Sequence, residues 1–275
     1  MAQSAGDSGN STIDTSVPHP ARRYNYWLGG KDNFAADRES ADAIEAVFPH
    51  IRTAAVENRR FLQRAVRVLT QEYGIRQFLD VGTGLPTADN THQVAQRIEP
   101  ASHVVYVDND PLVLTHARAL LTSDPRGRTA YLAADLREPE QILQHPDLTA
   151  TLDLSRPVAV MLIAVLHFVH DDDEATAAVA TLMRALPPGS FLALTHATAD
   201  FLPPEIAAAL TSGQVKGAGS FEGRSRDQLT RLVDANDLEL LEPGLTVVSE
   251  WRPDPGTTPP PAEHVSVYGA VARKR

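Results

Sequence analysis

The chain has 275 residues, is 43% hydrophobic and carries a net charge of −10, so it can bury a sizeable core and lacks general affinity for nucleic-acid phosphates. It contains no cysteine, which excludes disulfides, thiolate catalysis and Cys-ligated metals. No run approaches the roughly 18 apolar residues of a membrane span, and the polar N-terminus lacks the basic start and apolar core of a signal peptide. A cytoplasmic protein with no membrane and no nucleic-acid partner is expected.

Residues 1–17 are small and polar and are expected to be disordered. The segment A-R-R-Y-N-Y-W-L-G-G-K-D-N-F follows, with Tyr24, Tyr26 and Trp27 ahead of a double glycine. Such a cluster reads either as a lid over a site or as packing for an N-terminal helix. A helix is predicted from Ala35 to Phe48, closed by Pro49. A second, Arg52 to Tyr73, places Val56, Phe61, Ala65, Val68 and Leu69 near one face and stops at Gly74. It carries Asn58 and Arg59, and a surface salt bridge is the default for such an arginine.

Alternation then begins. Strands are predicted at Phe78–Val81, Val104–Val107, Thr129–Ala133, Val158–Ile163 and Ser190–Thr195. Helices are predicted between them at Asn90–Ile98, Pro111–Leu121, Pro139–Leu143 and Asp173–Ala185. Short apolar runs separated by helices imply parallel strands joined by right-handed crossovers. After Thr195 a helix is expected over Pro203–Gly213 and another from near Ser225. Late strands are expected at Leu238–Leu241, Leu245–Ser249 and Val265–Ala272, with a Pro-rich surface loop before the last.

The chemistry-bearing residues fall at the carboxyl ends of these strands, where open α/β sheets bind ligands. The first strand ends in Asp80-Val-Gly82-Thr83-Gly84, an acid and a two-glycine turn that lets the backbone approach a ligand. Pro86 stands near the place of a third glycine and has no N–H to donate, so the turn suits a pyrophosphate poorly. A cofactor such as S-adenosylmethionine fits it better. Asp108 ends the second strand, where a carboxylate can accept both ribose hydroxyls. It could instead cap the next helix, a role open equally to Asn109 or Asp110. Asp135 ends the third strand, where an adenine amino group would be met, and Leu136 could cover the ring. His167, beyond the fourth strand, reads as a base, an orienting group or a buried structural histidine. His196 is a weaker candidate of the same kind. His170 and Asp171–Asp173 read as a solvated loop and helix cap, without the spacing of a metal site.

Together these words resemble the class I S-adenosylmethionine-dependent methyltransferases, and more closely one actinobacterial branch called the S-adenosyl methyltransferase family. The resemblance rests on A-R-R-Y-N-Y-W-L-G-G-K-D-N-F, F-L-D-V-G-T-G-L-P-T, Y-V-D-N-D-P and R-P-V-A-V-M-L-I-A-V-L-H-F, and covers residues 20–273. It implies a Rossmann-like α/β fold with a seven-stranded, mostly parallel sheet, helices on both faces and one late antiparallel strand. It also implies an N-terminal helical cap, placed at 18–74, before a methyltransferase domain at 75–275.

The cofactor it implies is S-adenosyl-L-methionine, held by Asp80, Gly82, Thr83, Gly84, Asp108, Asn109, Asp135, Leu136 and Ala164. The acceptor is expected to be a small molecule, with His167, Tyr24 or Tyr26 lining its pocket as candidate catalytic residues. Asn25 stands where the branch usually carries aspartate and is given no catalytic weight. Two other readings compete: a non-catalytic S-adenosylmethionine-binding regulatory protein, and a nicotinamide-dependent oxidoreductase, which Pro86 opposes.

Overall fold

A computed structural model describes residues 14–120, 123–211, 215 and 223–275. Three helices come first: α1 (Pro20–Trp27), α2 (Ala35–Val47) and α3 (Ile51–Gln71). Pro20 opens α1 at a position where its missing N–H costs nothing, and the His19 side chain accepts the Ala21 N–H. The Asp37 carboxylate takes the N–H of Phe34 at 2.9 Å and of His19 at 2.8 Å. One fully buried acid therefore fastens the starts of both α1 and α2. On α3, Phe61, Ala65, Val68 and Leu69 are buried as expected, whereas Val56 is 36% exposed and lies off the stripe.

Beyond Gly74 the chain alternates through β1 (Gln77–Val81), α4 (Thr91–Ile98), β2 (His103–Asp108), α5 (Pro111–Leu120) and β3 (Arg128–Ala133). It continues through α6 (Pro139–Gln144), α7 (Pro146–Thr151), β4 (Ala159–Leu162), α8 (Asp172–Arg184) and β5 (Phe191–Ala197). A single 3-10 turn, Leu166–Phe168, links β4 to α8. The last part holds α9 (Pro204–Thr211), α10 (Arg226–Ala235), β6 (Leu238–Leu240), β7 (Thr246–Val247), α11 (Ala262–Val265) and β8 (Val267–Lys274). The expected disorder of residues 1–13, the end of the α5 segment at Leu121 and the end of the α9 segment at 212–213 lie outside the described residues.

The sheet runs β3-β2-β1-β4-β5-β8-β6, with β7 beside β8. Strands β1 to β5 pair in parallel, and β8 pairs antiparallel with β5, β6 and β7. The seven-stranded sheet with one reversed strand is therefore present, and β7 adds a two-residue eighth. The strand expected over Leu245–Ser249 is that short because the chain turns after Val247, where the Glu250 N–H returns to the Val247 carbonyl, and the Arg64 guanidinium takes the carbonyls of Val248 and Trp251. All positions of β1 and β4 are buried, as parallel strands covered on both faces must be. Alternate β1 residues face two cores: Leu79 and Val81 on one side, Phe78 on the other. The second core also contains Phe61, Ala65 and Leu69 of α3, so α3 closes over the sheet from that face. The chain order reverses between β1 and β4, which opens a crevice at their carboxyl ends.

Candidate functional site

The turn after β1 is pinned to the end of β2. Gly82 and Thr83 both donate their N–H to the Val107 carbonyl, at 2.8 and 3.2 Å. Gly82 has φ +73° and Gly84 φ +67°, a region that side chains disfavour. The two glycines answer different needs. A Cβ on Gly82 would strike the Val165 side chain, whereas one on Gly84 would meet open space.

Gly84 donates its N–H to Asp108 Oδ2 at 2.8 Å, and Asp110 donates to Asp108 Oδ1 at 2.9 Å. The cap of α5 is Asp110, which accepts the Leu112 N–H at 2.9 Å. Asp108 is thus released from capping, and each of its oxygens retains capacity for a further donor. Burial raises its carboxyl to about 6 against the lowering by the Asp110 and Gly84 N–H groups. Asp80 is likewise raised to about 6 by burial, opposed by the Thr91 hydroxyl and the Arg59 charge.

Asp135 is engaged differently. Its Oδ1 accepts the Arg137 N–H and Nε, both at 2.9 Å, while Oδ2 accepts Arg137 Nη2 and Asn109 Nδ2. Four donors fill the usual capacity of a carboxylate, and the Arg137 bonds hold it far below the ordinary range. Leu136, next to it, is buried and lines the crevice.

Ala164, two residues beyond β4, has φ +55° and donates its N–H to Thr195 Oγ1 at 2.8 Å. A non-glycine residue held in this region is strained, and such strain gathers at functional sites. Val165 then packs toward Gly82, and the 3-10 turn carries His167 into the crevice.

That turn is held by Arg224, a residue with no distinguishing signal in its polar stretch of sequence. Arg224 is 1% exposed. Nε reaches Asp172 Oδ1 at 2.7 Å, Nη1 the Leu166 carbonyl and His196 Nε2, and Nη2 the carbonyls of Val169 and Asp171. A guanidinium can only donate and a carbonyl can only accept. His196 must therefore accept from Arg224 at Nε2 and donate from Nδ1 to the Ala197 carbonyl, which makes it a neutral, structural histidine. His167, with its ring centroid 5.7 Å from that of His196, is pushed well below its ordinary pKa by burial, then by His196, Arg224 and Arg23. Asp171 caps α8 as expected.

The aromatic segment divides. Tyr24 lines the crevice, but its hydroxyl donates to the Ala55 carbonyl at 3.0 Å and accepts Asn58 Nδ2 at 2.8 Å. Tyr26 lies away from the crevice: its hydroxyl donates to Asp42 and its ring lies under Arg52. Asn25 is also outside the crevice, where Oδ1 accepts the Asp32 N–H and Asn33 Nδ2 to shape the turn before α2. Trp27 lines the crevice.

From α3, Asn58 and Arg59 both face the crevice. Arg59 makes no ion pair among the described residues; its Nη2 reaches Asn90 Oδ1 at 2.8 Å and the Ala88 carbonyl. Because Tyr24 already donates to Ala55, it must accept from Asn58, which fixes Asn58 Oδ1 on the other side. That oxygen is buried with no hydrogen-bond partner among the described residues. An orphaned acceptor, an adjacent guanidinium and a glycine turn fit the ammonium and carboxylate arm of an amino-acid-bearing nucleoside.

The crevice has a volume of about 490 Å³ and touches the ends of six strands, from Ala134 after β3 to Val267 in β8. Asp80, Gly82, Thr83, Gly84, Asp108, Asn109, Asp135, Leu136, Ala164, His167 and Tyr24 all line it. No group of three or more His, Cys, Asp or Glu among the described residues could hold a metal. No described helix is long and apolar enough to cross a membrane.

A family model described as S-adenosyl methyltransferase matches residues 6–275. A crystallised DUF574-family protein from Streptomyces avermitilis is 44% identical, covers 96% of this chain and 100% of its own, and superposes with a TM-score of 0.89. A protein from Thermobifida fusca described as a candidate methyltransferase is 42% identical over 98% of this chain and 99% of its own, with a TM-score of 0.88. An O-methyltransferase-family protein from Burkholderia thailandensis shares only the fold, at 15% identity and a TM-score of 0.52 over 86% of this chain and 62% of its own. A search of curated proteins gives no match.

Proposed function

The chain belongs to the S-adenosyl methyltransferase family, and on that premise we propose that it methylates a small-molecule acceptor enclosed between the strand ends and helices α1 to α3. The observation that carries this reading is the extent of the crevice. Six neighbouring strand ends, at about 4.8 Å each, span roughly 24 Å. That is longer than one nucleoside with its amino-acid arm requires, so the β1–β3 half serves the cofactor and the β4–β8 half the acceptor.

S-adenosylmethionine, when bound, supplies a methyl group on a sulfonium centre that needs no further activation. Asp108 accepts the ribose hydroxyls beside the Gly84 turn. Asn109 and Leu136 flank the base, and Asp135 holds Asn109 and Arg137 in place. Asn58 Oδ1 accepts from the ammonium group, and Arg59 faces the carboxylate. Helix α1 covers the crevice, and the apolar lining excludes water and orients the acceptor, which is where rate acceleration is drawn from. His167 is neutral at physiological pH and orients the acceptor through a hydrogen bond. Tyr24 positions Asn58.

The turn also speaks against a nicotinamide cofactor. Its Gly84 N–H is committed to Asp108, and the nearest helix begins only at Thr91, so no helix N-terminus abuts the turn to receive a pyrophosphate. Calorimetric titration with S-adenosylhomocysteine and with NAD tests the reading. Saturable binding of the first and none of the second is expected; the reverse pattern overturns it.

A further inference from the structure

Behind the acid at the end of β2 lies a buried ion pair that does not touch the crevice. Asp110 is 2% exposed and Arg22 5%, and neither is a lining residue. Arg22 Nε donates to Asp110 Oδ2 at 3.3 Å, and Nη1 donates to the Asp14 carbonyl at 2.9 Å. His19 Nδ1 stands 3.1 Å from the same Asp110 oxygen. That nitrogen accepts the Ala21 N–H, so it has no proton to give Asp110. Burial lowers His19 below its ordinary value, against the pull of Asp110. Among the described residues, Arg22 is therefore the charge that matches Asp110.

The pair is tied to the cofactor edge by two routes. Asp110 donates its N–H to Asp108 Oδ1, while Gly84 donates to Oδ2. Apolar contacts run in parallel. Leu85 after the glycine turn and Leu112 and Val113 of α5 form a small core on which Ala21 and Phe34 pack. The Arg22 guanidinium lies 5.5 Å from the centre of the Phe34 ring. Helix α1, which brings Tyr24 and Trp27 to the crevice, is thus seated on the two segments that flank Asp108.

We infer that Arg22 is a positioning residue for cofactor binding: through Asp110 it holds the 108–110 turn so that Asp108 keeps its free lone pairs aimed at the ribose; this rests on the methyltransferase reading above. A buried carboxylate stripped of its counter-charge must take up a proton or turn toward water, and the Asp110 N–H that holds Asp108 would move with it. The Asp110 charge also raises the Asp108 carboxyl directly, and Arg22 offsets that charge. From β1, Asp80 is a further acid coupled to Asp108.

The test is calorimetric titration of the full chain with S-adenosylhomocysteine between pH 5 and 8. Native affinity should level off above about pH 6. Arg22→Met should move that profile upward by roughly one pH unit, which weakens binding about fivefold to tenfold near pH 5.5. Arg22→Lys, which keeps the charge, should hold the profile near its native position. Arg22→Met combined with Asp110→Asn removes both charges and should bring the profile back to the native position or below it. A role confined to holding the fold would lower the melting temperature of Arg22→Met and leave its pH profile unmoved, and that outcome overturns the inference. Should Arg22→Met fail to fold, the double variant decides: a profile at or below the native one supports the inference, and one above it contradicts it. If the native chain does not bind S-adenosylhomocysteine at all, the underlying reading fails instead.

Discussion

Gly84 donates its backbone N–H to the Asp108 carboxylate at 2.8 Å, which joins the turn after β1 and the acid after β2 into one unit. The acid proposed to meet the ribose is also the group that holds the turn in shape. Neither can be altered without moving the other.

The first consequence is a pH dependence of cofactor binding. Asp108 titrates near 6 because burial disfavours its charge. Ribose hydroxyls that donate to it select the ionised form, so affinity rises with pH through about 6 and levels off above it. Titration of S-adenosylhomocysteine between pH 5 and 8 should show affinity falling by up to about tenfold per unit on the acid side. Asp108→Asn should bind weakly throughout.

Asp80 gives a stability effect of defined sign. Its folded pKa, about 6, lies above the ordinary aspartate value. Its contribution to stability is therefore fully present below about pH 4 and lost as pH rises through about 6. Near pH 8 the buried charge costs about 2–3 kcal/mol. Asp80→Asn should raise the melting temperature of the ligand-free protein by several degrees at pH 8, with little change at pH 4, because Thr91 can still donate to the amide oxygen.

The glycines should separate in a thermal melt. Gly84→Ala introduces only the positive-φ penalty, about 1 kcal/mol. Gly82→Ala adds a collision with Val165 and should cost roughly twice that or more, together with cofactor binding. Equal losses would contradict the close packing of the β4 loop on this turn.

Arg224→Met should destabilise by about 3–5 kcal/mol. It strips donors from His196, from three carbonyls and from Asp172 in one step. Its distinctive mark is on His196, whose Nε2 then loses the guanidinium. The imidazole should titrate at higher pH than its present value of about 4, as read by NMR of the folded variant.

The sheet and the crevice edge were legible because they follow local rules. Five short strands with helices between them have few alternatives, and Asp80, Asp108 and Asp135 stand at or just past the carboxyl ends of three of them. Helix α1 was legible only as one of two readings of the aromatic segment, because the side chains it buries are Arg22, Arg23 and Asn25. Arg22 is matched by Asp110, 88 residues away in sequence, and no apolar stripe announces such a helix. Arg224 escaped notice for the same reason, since its partners on the β4–α8 connection lie 52 to 58 residues upstream. Tyr26 looked equivalent to Tyr24 in sequence, but the turn of α1 sends its hydroxyl to Asp42.

The division of the crevice into a cofactor half and an acceptor half is tested most directly by a crystal structure with S-adenosylhomocysteine. The account requires the ribose hydroxyls on Asp108, the amino-acid arm between Asn58 and Arg59, and an open apolar space beside His167. A nucleoside seated in the β4–β8 half, with Asp108 left to Gly84 and Asp110 alone, would contradict it.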